Sequence, residues 1–181
     1  MASAIAAIFL WASLAALAFK LSHLPPFFLT GIGMIIGSFA LVPGLTQWRV
    51  PWRTFAIGVL ALTLYHAALF AAFQWAPAVS ANLINYLWPL LIVLLAPLVH
   101  RRQSLSLHTV FAGLLGFVGA ALAIVGDAGF RFEMRAVYGY ALAFCAALIW
   151  SLYSLLLKRL PLFPNAAVGG FNLGAGVLAL G

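Results

Sequence analysis

The longest stretch of this chain without an Asp, Glu, Lys or Arg runs for 47 residues, from Thr54 to His100. About 20 apolar residues in a helix cross the hydrocarbon layer of a bilayer, so this one stretch has room for two crossings. The rest of the chain follows the same plan. Its charges fall at Lys20, at Arg49 and Arg53, at Arg101 and Arg102, from Asp127 to Arg135, and at Lys158 and Arg159, leaving charge-free stretches of 19, 28, 47, 24, 22 and 22 residues. Only 6% of the 181 residues are charged, where a soluble domain carries about 25%. A soluble enzyme, a disordered tail and a nucleic-acid binder are thereby excluded. The net charge of +7 is no sign of a nucleic-acid partner, because the basic residues punctuate the apolar stretches instead of forming one face. The chain is expected to be an all-α polytopic protein whose surroundings are the lipid bilayer.

Spans are expected at 3–19, 27–43, 54–74, 79–99, 107–126 and 137–157, with a seventh starting near 166. Gln74-Trp75-Ala76-Pro77 divides the long stretch: a polar residue, an interfacial aromatic and a proline make a tight reversal. Pro25-Pro26, Pro43, Pro51, Pro161 and Pro164 mark other loops. Ala16-Leu17-Ala18 resembles a leader-cleavage site, but no Lys or Arg precedes it, so the first segment is read as a span. With the N-terminus inside, the inner loops hold Arg49, Arg53, Arg101, Arg102, Lys158 and Arg159, and the outer loops only Lys20, Arg131 and Arg135. The bias places the N-terminus in the cytoplasm, in what is expected to be a bacterial inner membrane.

Sliding the chain by 139 residues lays 2–42 on 141–181 without a gap. Trp11 falls on Trp150, Leu17 on Leu156, Leu21 on Leu160, Pro25 on Pro164, Gly31 on Gly170 and Gly37 on Gly176. Ala40-Leu41 falls on Ala179-Leu180, and Ala2, Ala4 and Ala7 on Ala141, Ala143 and Ala146. Alanine and leucine matches are cheap in membrane composition; a Trp, a Pro and two Gly in register are not. The correspondence divides the chain into a first five-helix repeat, 1–136, and the start of a second, 137–181. Five spans is an odd number, so the second copy enters the membrane upside down. Inverted repeats are a transporter architecture, with the substrate site near the midplane between them. Two copies of 139 need about 280 residues, so about 100 residues of the second copy are expected beyond this sequence.

Polar groups at membrane depth are the candidate functional residues. Tyr65-His66 sits near the middle of the third span, where two readings stand: a histidine hydrogen-bonded for packing, or part of a cavity wall, with a metal or proton-relay role as a third. In the fourth span Asn82, Asn85, Tyr86 and Pro89 fall within an arc of about 100° on a continuous helix, and Trp88 lies about 60° beyond. Pro89 removes a backbone hydrogen bond there, a place to bend. The two Asn could equally serve interhelical amide bonding. Gly113, Gly116 and Gly119, and the pairs Gly33/Gly37 and Gly170/Gly174, are read as close-approach positions between helices. No dinucleotide fingerprint fits them, since no strand precedes them.

Absences narrow the function further. Cys145 is alone and the four His are scattered, so no disulfide, metal ligation or cofactor is expected. No span carries a charge in its interior, which leaves no ion-coupling carboxylate. Neither a Gly-x-Ser-x-Gly elbow nor a His-Glu-x-x-His pair occurs, so hydrolytic enzyme chemistry has no support.

The string Asn85-Tyr86-Leu87-Trp88-Pro89, with Gly126-Asp127-Ala128-Gly129 after the fifth span and Ala147-Leu148-Ile149-Trp150 with Tyr153 in the sixth, resembles the EamA branch of the drug/metabolite transporter superfamily. The likeness covers essentially the whole chain and is strongest to members that export aromatic amino acids. It implies a five-plus-five helix transporter with both termini cytoplasmic and a central cavity. Carried over by residue, Tyr65, Trp88 and Trp150 fall at aromatic cavity positions. A Glu that commonly follows the fourth span in the broad family is replaced here by His100-Arg101-Arg102-Gln103. The first-span Glu of small multidrug antiporters is also missing, which argues against proton-coupled cation efflux. The resulting expectation is a non-enzymatic exporter of small molecules, chiefly aromatic amino acids, with a site formed by Tyr65, His66, Asn82, Asn85, Trp88, Trp150 and Tyr153. The alternative is a superfamily transporter of a drug, nucleoside or other metabolite. The oligomeric state stays open.

Overall fold

The computed structural model describes residues 20–21, 23–99, 106–125 and 133–181. The expected first span at 3–19, the Arg101-Arg102 loop and the Gly126-Asp127-Ala128-Gly129 string lie outside them. The described residues are helices and turns, without a strand. In chain order the helices are α1 (Pro26–Phe39), α2 (Trp52–Trp75), α3 (Ala78–Asn85), α4 (Trp88–Val99), α5 (Leu107–Val125), α6 (Val137–Leu157) and α7 (Ala167–Leu180).

Prolines stand at the starts of three of these helices. Pro25, Pro51 and Pro77 are each the N-cap of a helix, with φ fixed by the ring between −56° and −53° and ψ extended, 129° to 141°, as the residue flanking a helix start usually is. Between α2 and α3, Ala76 is extended (φ −141°, ψ 155°), as the residue before a proline is driven to be. The reversal expected at 74–77 is therefore real. Gln74 Nε2 donates to Leu24 O at 2.7 Å, tying that corner to the loop before α1. By length and composition α2, the α3–α4 pair (Ala78–Val99) and α6 with its preceding turn (Met134–Leu157) are long and apolar enough to cross a membrane; α7 is a shorter apolar helix.

Two expected spans come out differently. The second, expected over 27–43, stops at Phe39, and a 3-10 helix over Val42–Trp48 turns away at 96°. Pro43 has no N–H to continue the ladder, and Trp48 Nε1 donates back to Leu41 O at 3.2 Å, which closes the turn. The fourth, expected as one helix over 79–99, is interrupted: α3 ends at Asn85, Tyr86 and Leu87 form a turn, and α4 starts at Trp88. Pro89 then sits in the first turn of α4, where its missing N–H costs nothing.

The helices meet through small residues and a few large ones. Phe171 of α7 is fully buried with its ring edge-on to Phe55 (6.2 Å) and Phe163 (5.3 Å); Val59, Leu62, Ala167 and Ala175 complete this cluster. A second cluster joins Phe70, Phe73 and Ala72 of α2 to Ala81 of α3 and Ala143 of α6. Thr63 Oγ donates to Val59 O at 2.8 Å, with Ala175 O of α7 a second acceptor at 3.4 Å. Without water to drive apolar surfaces together, close approach and hydrogen bonds of this sort carry helix association in lipid.

The glycine rows divide. A Cβ on Gly174 would meet Val59 Cγ2 at 2.6 Å and one on Gly170 would meet Trp48 Cβ at 3.4 Å, as close-approach positions should. Gly113 has Leu90 Cδ1 at 3.3 Å, but Gly33, Gly116 and Gly119 have nothing within 4 Å among the described residues.

Candidate functional site

Tyr65 and His66 lie near the middle of α2, on consecutive positions whose rings meet edge-on at 4.8 Å between centroids. Tyr65 also leans on Trp150 of α6, at 5.0 Å and 41°. Trp150 in turn meets Tyr153 at 5.8 Å, and His66 meets Phe70 at 6.0 Å. Helical spacing explains the local pairs: residues three or four apart share a face. The Tyr65–Trp150 contact is different, because it crosses from α2 to α6.

A hydrogen bond brings in a third helix. Asn85, the last residue of α3, donates from Nδ2 to Tyr65 Oη at 3.3 Å. Asn85 is 5% exposed, and its other amide atom, Oδ1, is buried with no hydrogen-bond partner among the described residues. His66 Nδ1 lies 2.9 Å from Leu62 O. A carbonyl oxygen only accepts, so this nitrogen carries a proton, and in the neutral form of the ring Nε2 is then an acceptor.

The expected site residues thus fall into two groups. Tyr65, His66, Asn85, Trp150 and Tyr153 form one connected cluster on α2, α3 and α6. Trp88 is linked to it through its backbone: Ser151 Oγ, on α6 beside Trp150, sits 2.9 Å from Trp88 O and 2.6 Å from Ala147 O. Asn82 stands apart, half-buried and without a side-chain hydrogen bond among the described residues. The continuous polar stripe expected on the fourth span is lost with the helix break, since Asn85 is buried while Tyr86 and Pro89 are exposed.

Ser151 escaped the sequence reading. It is a small polar residue next to a flagged Trp, and only its partner, 63 residues away, marks it as the strut between α6 and the α3–α4 break. The groups brought together here are neutral donors and acceptors in contact with aromatic rings.

The chain is 35% identical to the aromatic amino acid exporter YddG of Ancylobacter novellus over 96% of its own length, and it spans 63% of that relative. A solved crystal structure superposes with a TM-score of 0.78 at 35% identity, covering 96% of this chain and 62% of the other. Residues 1–125 match the EamA-like transporter family. The protein belongs to that family, within the drug/metabolite transporter superfamily.

Proposed function

We propose that the protein exports aromatic and other neutral amino acids by alternating access, through a central cavity walled by Tyr65, His66, Asn82, Asn85, Trp88, Trp150 and Tyr153. The observation that carries the reading is the Asn85–Tyr65–Trp150 junction, a hydrogen bond and a ring contact joining α2, α3 and α6 near mid-span. Rings of this size supply large contact area to an aromatic side chain, and the neutral polar atoms among them fix its orientation. In this reading 1–136 is the first repeat and α6 opens the second, so the junction lies between repeats, where inverted-repeat transporters bind. The exporter named above supports the substrate class. The N-terminus is assigned to the cytoplasm and the protein to the bacterial inner membrane from the distribution of Lys and Arg. No carboxylate interrupts the stretches Thr54–His100 or Ala136–Leu157, so these spans themselves supply none for proton coupling.

The test uses the complete polypeptide in liposomes loaded with labelled phenylalanine, tryptophan or threonine. Efflux faster than from protein-free vesicles is expected. If none of the three crosses faster while a nucleoside or cationic drug does, the substrate assignment is wrong.

A further inference from the structure

Asn85 offers an acceptor that none of the described residues uses. Its Nδ2 is spent on Tyr65 Oη, which orients the amide and leaves Oδ1 buried and unpartnered. A buried polar atom without a partner is costly and uncommon, and in a binding protein it points to a group that arrives with the ligand. His66, on the same cluster, presents a second acceptor, because its Nδ1–H is committed to Leu62 O. Tyr65 touches both, its hydroxyl on Asn85 and its ring edge-on to His66, and the rings of Trp150 and Tyr153 follow on from it; the faces of such rings attract cations and repel anions. The donors left over are neutral hydroxyl and indole groups. No Lys or Arg lies between Arg53 and Arg101 or between Arg135 and Lys158, so the helices that carry this cluster offer a carboxylate no cation to offset its lost hydration.

We infer that Asn85 Oδ1 and His66 Nε2 receive the ammonium end of the ligand, so that the site accepts aromatic amines lacking a carboxylate and rejects aromatic acids lacking an ammonium. The inference rests on the binding site proposed above and adds which end of the ligand is read. The carboxylate of an amino acid is then a tolerated group, not a recognised one.

The matched probes are 2-phenylethylamine and 3-phenylpropionate, which share ring and chain length and differ only in the charged end. Tritiated 2-phenylethylamine is expected to bind the detergent-solubilised complete polypeptide and to be displaced by phenylalanine. 3-Phenylpropionate is expected to leave it bound even at about tenfold excess. Asn85→Leu should weaken amine binding by about tenfold or more, the scale of one hydrogen bond to a charged group. Asn85→Asp should strengthen it, a gain that a merely structural Asn could not produce. Equal or tighter binding of the acid, or amine binding unchanged in Asn85→Leu, overturns the inference; if either variant fails to fold, the amine–acid comparison on the unaltered protein decides alone. Export is scored separately in liposomes. Phenylalanine efflux without amine binding sinks this inference and spares the exporter reading. Asn85-dependent amine binding without amino acid efflux does the reverse.

Discussion

Gly31 of α1 and Gly176 of α7 face each other where the two helices cross: a Cβ on Gly176 would lie 2.9 Å from Gly31 O, and a Cβ on Gly31 would lie 3.2 Å from Gly176 O. The relationship is reciprocal although the residues are far apart in sequence. Under the 139-residue correspondence Gly31 matches Gly170 and Gly176 matches Gly37, so in the proposed repeat α1 and α7 are counterparts packed on one another. Direct backbone contact of this kind needs small residues on both sides.

The two glycines should not tolerate a methyl group equally. On Gly31 the added carbon meets mainly Leu180, the far end of a flexible side chain. On Gly176 it meets Ile35 Cγ1 at 2.5 Å, and also Gly31 O and Ile35 N at 2.9 and 3.0 Å, the last two being backbone. Gly176→Ala is expected to destabilise by ~1–3 kcal/mol, the scale of overpacking, and Gly31→Ala by less. Gly33→Ala, facing nothing within 4 Å among the described residues, should be neutral or stabilising by up to ~1 kcal/mol. Thermal unfolding in detergent gives the order, and an equal effect at all three positions would contradict it.

The Tyr65–Asn85 hydrogen bond should appear as coupling. Tyr65→Phe removes the hydroxyl and strands both polar atoms of a buried amide, at ~1–3 kcal/mol. Asn85→Leu leaves Tyr65 without its donor but removes the orphan Oδ1, so it should cost less. A double-mutant cycle is expected to show ~0.5–1.5 kcal/mol of interaction. Strict additivity would mean the bond contributes nothing.

Ser151→Ala tests the strut. It keeps the Cβ and deletes only the hydroxyl that reaches Trp88 O. A loss of ~0.5–1.5 kcal/mol is expected, with faster hydrogen exchange concentrated at 86–92, next to the break. Uniform change across α2 and α6 would place the effect elsewhere.

Trp150→Ala removes the ring that spans from α6 to Tyr65. Efflux of aromatic amino acids is expected to fall by about three- to tenfold, the equivalent of one aromatic pair, while the protein still inserts in the membrane. Trp150→Phe should retain most of the flux. Unchanged flux in Trp150→Ala would take Trp150 out of the proposed site.

Much of the scaffold was legible because its causes are local. Charge spacing marked the apolar stretches, and prolines marked where they begin: the bounds expected for the sixth span, 137–157, are those of α6. Pro43 and Pro89 were flagged too, but not their consequences, since a proline shows where a helix can stop and not which way the chain then turns. The site was half legible. Tyr65, His66 and Asn85 stand out as polar groups at membrane depth, yet Asn85 shares a face with Tyr86 and Pro89 only on an unbroken helix, and the helix breaks at Tyr86 and Leu87.

The sequence by itself settled that the chain is an all-helical membrane protein and where most of its helices start, because hydropathy and proline stereochemistry act on neighbouring residues. Tertiary structure decided which polar groups meet. It put Asn85 against Tyr65, Tyr65 against Trp150, Ser151 against Trp88 and Gly31 against Gly176. In lipid an apolar surface carries no preference for one neighbour over another, so partner choice rests on the fit of small residues and on single hydrogen bonds, which no periodicity along the chain records.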